Sequence, residues 1–163
     1  VAALTLVILT LGALAVSADF RKAVYTMIQK FLPIEMQLTY QVDGEPLEQL
    51  PNGYSDHYVP DGFERDYEQG YDDTQAFLHV YTDIMTNDFY TVSCAIVQNQ
   101  NQKELFDNEH TKYRKVKMGD VEALLGEDKN TGYYLVWEDE GITHTIIGRI
   151  SIRELMLVAQ KIY

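Results

Sequence analysis

The hydrophobic pattern divides the chain at once. Residues 1–18 (VAALTLVILTLGALAVSA) carry no charge and almost no polarity, and as a helix they would reach about 27 Å, close to one hydrocarbon core. They predict a transmembrane anchor. The small residues Val16-Ser17-Ala18 also suit a signal peptidase, but the apolar run exceeds the usual core of a cleaved signal and starts without Met, so a retained span extending upstream is the favoured expectation. From Asp19 to Leu32 the apolar residues Phe20, Val24, Met27, Ile28 and Phe31 recur at steps of three and four, which predicts an amphipathic juxtamembrane helix stopped by Pro33, lying on lipid or packed under the domain.

Beyond Pro33 the period changes to two. Ile34, Met36, Leu38, Tyr40 and Val42 alternate with polar residues and predict a strand that ends at Asp43-Gly44. Residues 45–60 hold Pro46, Pro51 and Asn52-Gly53 with no clean period, the composition of a long connection. Short strands follow over 63–71, 76–84, 89–97, 114–118, 121–125, 133–138 and 142–148, with tight turns at Gly119-Asp120 and Asp139-Glu140-Gly141; neighbours of this kind pair antiparallel. Residues 99–110 are polar and aperiodic and read as an exposed loop. Ser151 and Glu154 have capping-box spacing, and Ile152, Leu155, Met156, Ala159 and Ile162 form the apolar face of the helix they open. The predicted class is α+β: an antiparallel sheet with a C-terminal helix on one face. The domains expected are 1–18 anchor (or signal peptide), 19–32 amphipathic helix and 33–163 extracytoplasmic domain.

Charge narrows the partners. Acids outnumber bases 25 to 13, a net charge of −12, which disfavours nucleic acid, whose binding relies on Lys and Arg, and disfavours contact with an anionic inner leaflet. An outward-facing domain is expected. The single cysteine, Cys94, permits no internal disulfide; in an apolar strand without a basic neighbour it reads as an inert small hydrophobe.

No constellation specifies a reaction, so the expectation is a non-enzymatic domain without metal or cofactor. His57, His79, His110 and His144 are far apart and lack zinc-ligand spacing. Ser55-Asp56-His57 has the residue types of a hydrolase triad, but sequence neighbours project apart and triads are assembled from separate elements. The acidic and aromatic run 54–73 supplies the one candidate ligand or partner surface: Tyr54, Tyr58, Tyr67, Tyr71, Asp72 and Asp73, types suited to cations, ammonium groups or sugars, weighed against an ordinary solvated strand. Asp128-Lys129-Asn130-Thr131-Gly132 has the wrong Gly position for a calcium loop. Trp137 reads as a core anchor.

Pro60, Gly62 and Phe63 within Val59-Pro60-Asp61-Gly62-Phe63, then Tyr134-Leu135-Val136-Trp137-Glu138-Asp139, a strand to Gly148 and the Ser151/Glu154 helix resemble the domain-of-unknown-function family 4367 from Tyr58 onward. The resemblance implies no catalytic residues. It implies the outer domain of a single-pass membrane protein of Gram-positive bacteria, some members being similar to anti-sigma regulators that hold a sigma factor through a cytoplasmic part before the span. The leading expectation is therefore a sensing or interaction domain of such a regulator, with a protein or small molecule as its unidentified ligand. The alternatives are a carrier-like module enclosing a lipid or peptide in an apolar cavity and, last, an envelope hydrolase.

Overall fold

The computed structural model describes residues 5–10, 24–31, 35–43, 45–98, 102–107 and 109–163. Two antiparallel sheets and one helix account for the regular structure among them. The larger sheet contains β4 (Phe63–Asp72), β5 (Ala76–Asp83), β6 (Phe89–Ile96), β8 (Lys112–Met118), β9 (Val121–Asp128), β10 (Gly132–Asp139) and β11 (Ile142–Gly148), in the order β4-β5-β6-β11-β10-β9-β8. The smaller contains β1 (Thr5–Thr10), β2 (Val24–Phe31), β3 (Glu35–Asp43) and β7 (Gln102–Asp107), in the order β1-β2-β3-β7.

Strand alternation builds two apolar layers. On one face of the larger sheet, Trp137, His144, Cys94 and Phe77 form a row across four strands, and Leu135, Ile146, Val92 and His79 form the next. Helix α1 (Ile152–Ala159) closes this face with Leu155, Val158 and Ala159 buried, each large apolar side chain contributing roughly 1.5–3 kcal/mol on burial. The other face carries Leu124 and Val136 against Met27, Met36, Leu38 and Tyr40 of the smaller sheet. The result is sheet, sheet and helix in three layers.

Local chemistry sets the strand ends. Met118 pairs with Val121 across Gly119-Asp120, and Asp139 pairs with Ile142 across Glu140-Gly141. Both residues of the latter turn have positive φ, 50° and 85°, the backbone that matches strand twist in a two-residue hairpin. Pro60 to Phe63 is a turn closed by Phe63 N–H donating to Pro60 O at 3.2 Å, with Gly62 at φ 91°. Ser151 caps α1: its Oγ accepts from Glu154 N at 3.1 Å, an interaction contributing about 1 kcal/mol. The reciprocal half of the expected capping box is replaced, since the Glu154 carboxylate takes the Tyr58 hydroxyl at 2.6 Å.

Three expectations are corrected. Thr5–Thr10, read as part of a helical anchor, pairs with β2 as a strand; the rest of 1–18 lies outside the described residues. Val24–Phe31, read as most of an amphipathic helix, is a strand between β1 and β3, and 19–23 lie outside the described residues. Among those described, no helix is long and apolar enough to cross a membrane. The physical reason is composition plus partners: Val24, Tyr25, Thr26, Ile28 and Phe31 are β-branched or aromatic, and β3 offers a full ladder of hydrogen bonds. Within the expected loop 99–110, Gln102–Asp107 adds to β3 as an edge strand, with Glu104 and Phe106 partly buried and Lys103 and Leu105 exposed, the half-buried alternation an edge tolerates.

Candidate functional site

The connection 45–62 lies over the helix-bearing face of the larger sheet. Its middle runs antiparallel to the C-terminal residues, with Ser55 N–H donating to Tyr163 O at 3.1 Å, Tyr163 N–H to Ser55 O at 3.2 Å and His57 N–H to Lys161 O at 2.8 Å. This fixes Tyr54 and Asp56 above two histidines that alternation turns inward from β5 and β11.

Asp56 engages His79. The Nδ1 of His79 is 2.5 Å from Asp56 Oδ1, and its Nε2 is 2.7 Å from Asp72 Oδ1. Tyr81 Oη donates to Asp56 Oδ2 at 2.6 Å, and Arg65 pairs with Asp72 at 2.7 Å. His79 is 1 % exposed and stacks on Phe77 at 4.3 Å between centroids. Burial alone would lower its pKa, but hydrogen bonds to Asp56 and Asp72 outweigh that and raise it. Both aspartates go the other way: burial raises them, and hydrogen bonds from His79 with Tyr81 (Asp56) or Arg65 (Asp72) pull them below the usual carboxylate value. An imidazolium between two carboxylates results.

A bulge makes this possible. Between Asp66 and Gly70 the β4–β5 register shifts, so that Asp66 faces Val80 and Gly70 faces His79. Gly70 has φ 99°, and a Cβ there would lie 2.1 Å from Leu78 O. Tyr67 is left 82 % exposed at the bulge, with the Arg65 guanidinium 4.8 Å from its ring centroid.

The second histidine lines a cleft. Tyr54 Oη lies 2.6 Å from His144 Nε2, and the His144 ring stacks on Trp137 at 4.5 Å with an interplanar angle of 3°. Burial drives the His144 pKa down to about 3, against backbone hydrogen bonds at Trp137 and Ile142, so the imidazole is neutral. Around this stack opens a cleft of about 450 Å³ between the β8–β9 turn, the end of β10 and the end of α1, walled by Tyr54, Val121, Trp137, Asp139, Gln160 and Ile162. Asp139 is partly buried; that burial raises its carboxyl pKa, opposed by a backbone hydrogen bond from Glu140.

The six residues of the expected surface are divided by the structure. Tyr54 lines the cleft and, with Asp72 and Asp73, a smaller pocket of about 210 Å³ beside Phe77. Asp73 Oδ1 accepts from Gln75 N and Ala76 N and shapes the β4–β5 turn. Tyr58 is tied to Glu154, and Tyr67 and Tyr71 are exposed outside both pockets. Pro60 is buried, and Phe63 packs edge-on to Tyr90 at 5.1 Å. The Ser55-Asp56-His57 run does not converge: Ser55 Oγ donates to Asp56 at 3.3 Å, whereas His57 bonds to Tyr163 O and stacks on its ring. Among the described residues no group of three His, Cys, Asp or Glu could hold a metal ion.

Sequence reasoning missed Asp56, His79, Asp139 and His144 as members of organised sites. A signal existed: in Phe77-x-His79-x-Tyr81 and Ile142-x-His144-x-Ile146 a histidine occupies an inward position of an otherwise apolar or aromatic period-two run. Such a position demands a buried partner.

An antiparallel sheet with a capped helix and a cleft on one face describes a β-rich α+β domain. The chain belongs to the family described as Domain of unknown function (DUF4367), whose model matches residues 53–162. That span covers β4 to α1, the cleft beside His144 and the Asp56–His79 cluster, whereas the smaller pocket also draws on Gln49 to Asn52, before it. No curated protein and no solved structure matches the chain.

Proposed function

We propose that this chain is the outer, ligand-sensing domain of a membrane-anchored regulator of the anti-sigma type, acting by binding rather than catalysis. The cleft at Tyr54, Trp137 and His144 carries the reading: its volume of about 450 Å³ falls in the range of small-molecule sites, and its walls come from both ends of the family domain. A ligand there would touch the end of α1 and the β8–β9 turn together. The net charge of −12 supports placement away from an anionic inner leaflet.

The proposed membrane attachment rests on the uncharged apolar composition of residues 1–18, not on a helix, since Thr5–Thr10 is a strand. Regulators of this type hold their sigma factor through a cytoplasmic part before the span, so that partnership rests on residues upstream of Val1. The carrier-like reading draws on the same cleft, but Tyr54, Asp139 and Gln160 in its walls suit a compact ligand with a polar end better than a lipid chain.

Topology is tested by thiol labelling in intact cells. Met85 is 91 % exposed in the turn after β5, and Cys94 is fully buried. Met85→Cys should react with a membrane-impermeant maleimide, and the unsubstituted chain should not. Labelling only after lysis would place the domain in the cytoplasm and end the sensing proposal.

A further inference from the structure

Among the described residues one carboxylate, that of Asp139, lines the cleft described above, and no Lys or Arg does. Asp139 lies at the end of β10, partly buried. The one imidazole present, His144, is neutral and already bonded to Tyr54 Oη. A half-buried carboxylate without a counter-charge is a costly arrangement in the free protein and an attractive one for a cation. Apart from Gln160 and Gly119 the remaining walls are aromatic or apolar: Trp137 on the sheet, Tyr54 from the connection over it, Val121 and Met118 beside the β8–β9 turn, Ala159 and Ile162 from the chain end. Such walls match an organic cation, not a bare metal ion, whose hydration shell they could not replace.

We propose that the cleft binds a small ammonium compound with an apolar body, the ammonium on the Asp139 carboxylate and the body against Tyr54, Trp137 and Val121. The inference rests on the ligand-sensing reading of this cleft and supplies its ligand class. Charge complementarity favours it twice, locally through Asp139 and globally because a domain of net charge −12 attracts cations and repels anions. Tyr54 extends the consequence beyond the cleft. It lines both pockets and is two residues from Asp56, so a ligand that displaces its hydroxyl from His144 acts on the segment that holds His79.

Trp137 is the one tryptophan of the chain and reports from the cleft wall. The intact chain is titrated with benzylammonium, with the neutral benzyl alcohol and with benzoate, following Trp137 fluorescence. Benzylammonium should give a saturable change, at least tenfold tighter than benzyl alcohol, and benzoate should give none. Asp139→Asn, shown to be folded by its circular dichroism, should bring benzylammonium down to the affinity of the alcohol. Equal affinities for the amine and the alcohol in the unsubstituted chain would overturn the ammonium assignment while leaving the cleft a ligand site. Silence toward all three probes would overturn the cleft as a ligand site and the assignment with it.

Discussion

The Nδ1 of His79 and the Oδ1 of Asp56 are 2.5 Å apart, although 23 positions separate the two residues and both side chains are 1 % exposed. With Asp72 on the other ring nitrogen, the imidazole is held in its charged form by two elements, the connection before β4 and the bulged β4 itself. The cluster ties the connection 45–62 to the sheet, and through the Ser55–Tyr163 pairing to the end of α1.

Stability should therefore fall on the alkaline side. His79 has a raised pKa in the folded state, so its contribution is complete below its unfolded value of about 6.5 and is lost as pH rises through the raised one. Asp56 is depressed, so its contribution is present above about 3.9 and is lost as pH falls through its lowered value. Denaturant midpoints between pH 5 and 10 should decline on the upper limb, and His79→Gln should flatten that limb. Because it leaves Asp56 buried without its counter-charge, the same substitution should cost about 3 kcal/mol near pH 6. A His79→Gln chain that keeps the alkaline limb would mean that another group carries it.

His144 should act with the opposite sign. Its folded-state pKa is about 3, so stability from keeping it neutral is complete above about 6.5 and is lost as pH falls toward 3, up to tenfold in the unfolding constant per pH unit. His144→Phe retains a ring against Trp137 but gives up the Tyr54 hydrogen bond. Its unfolding midpoint, compared with the unsubstituted chain from pH 7 to 4, should fall less steeply; parallel curves would show that His144 is not the acid-sensitive group.

Gly70→Ala should be severe for one substituted atom. A methyl group would meet Leu78 O at 2.1 Å, a backbone atom that cannot rotate away, and φ 99° is costly for an L-residue. A loss of about 2 kcal/mol or more is expected from denaturant unfolding, together with proton-exchange signals showing His79 released from Asp72. Near-neutral behaviour would mean that the bulge is not needed to place Asp72.

What the sequence determined was local. Period-two alternation marked β3, whose buried and less buried residues alternate, and turn residues between short apolar runs marked β4 to β6 and β8 to β11. The Glu140-Gly141 hairpin and the Ser151 cap were legible because a turn of positive φ and an orphan helix N–H demand particular residues. The family was legible too, since Pro60, Gly62, Phe63, Trp137 and the Ser151 helix keep their order within residues 53–162.

What the tertiary structure decided was pairing at a distance. Val24–Phe31 has a helical stripe in its own sequence, and only the ladder to β3 makes it a strand; Gln102–Asp107 has almost no pattern, and only the open edge of β3 recruits it. The same holds for the sites. Asp56 and Tyr54 reach His79 and His144 because residues 55–57 pair with the last residues of the chain, and Asp72 reaches His79 because a bulge offsets β4. Nothing within a window of the sequence encodes those approaches, since they depend on hydrogen bonds between segments up to about a hundred residues apart, whose closure is set by the whole fold.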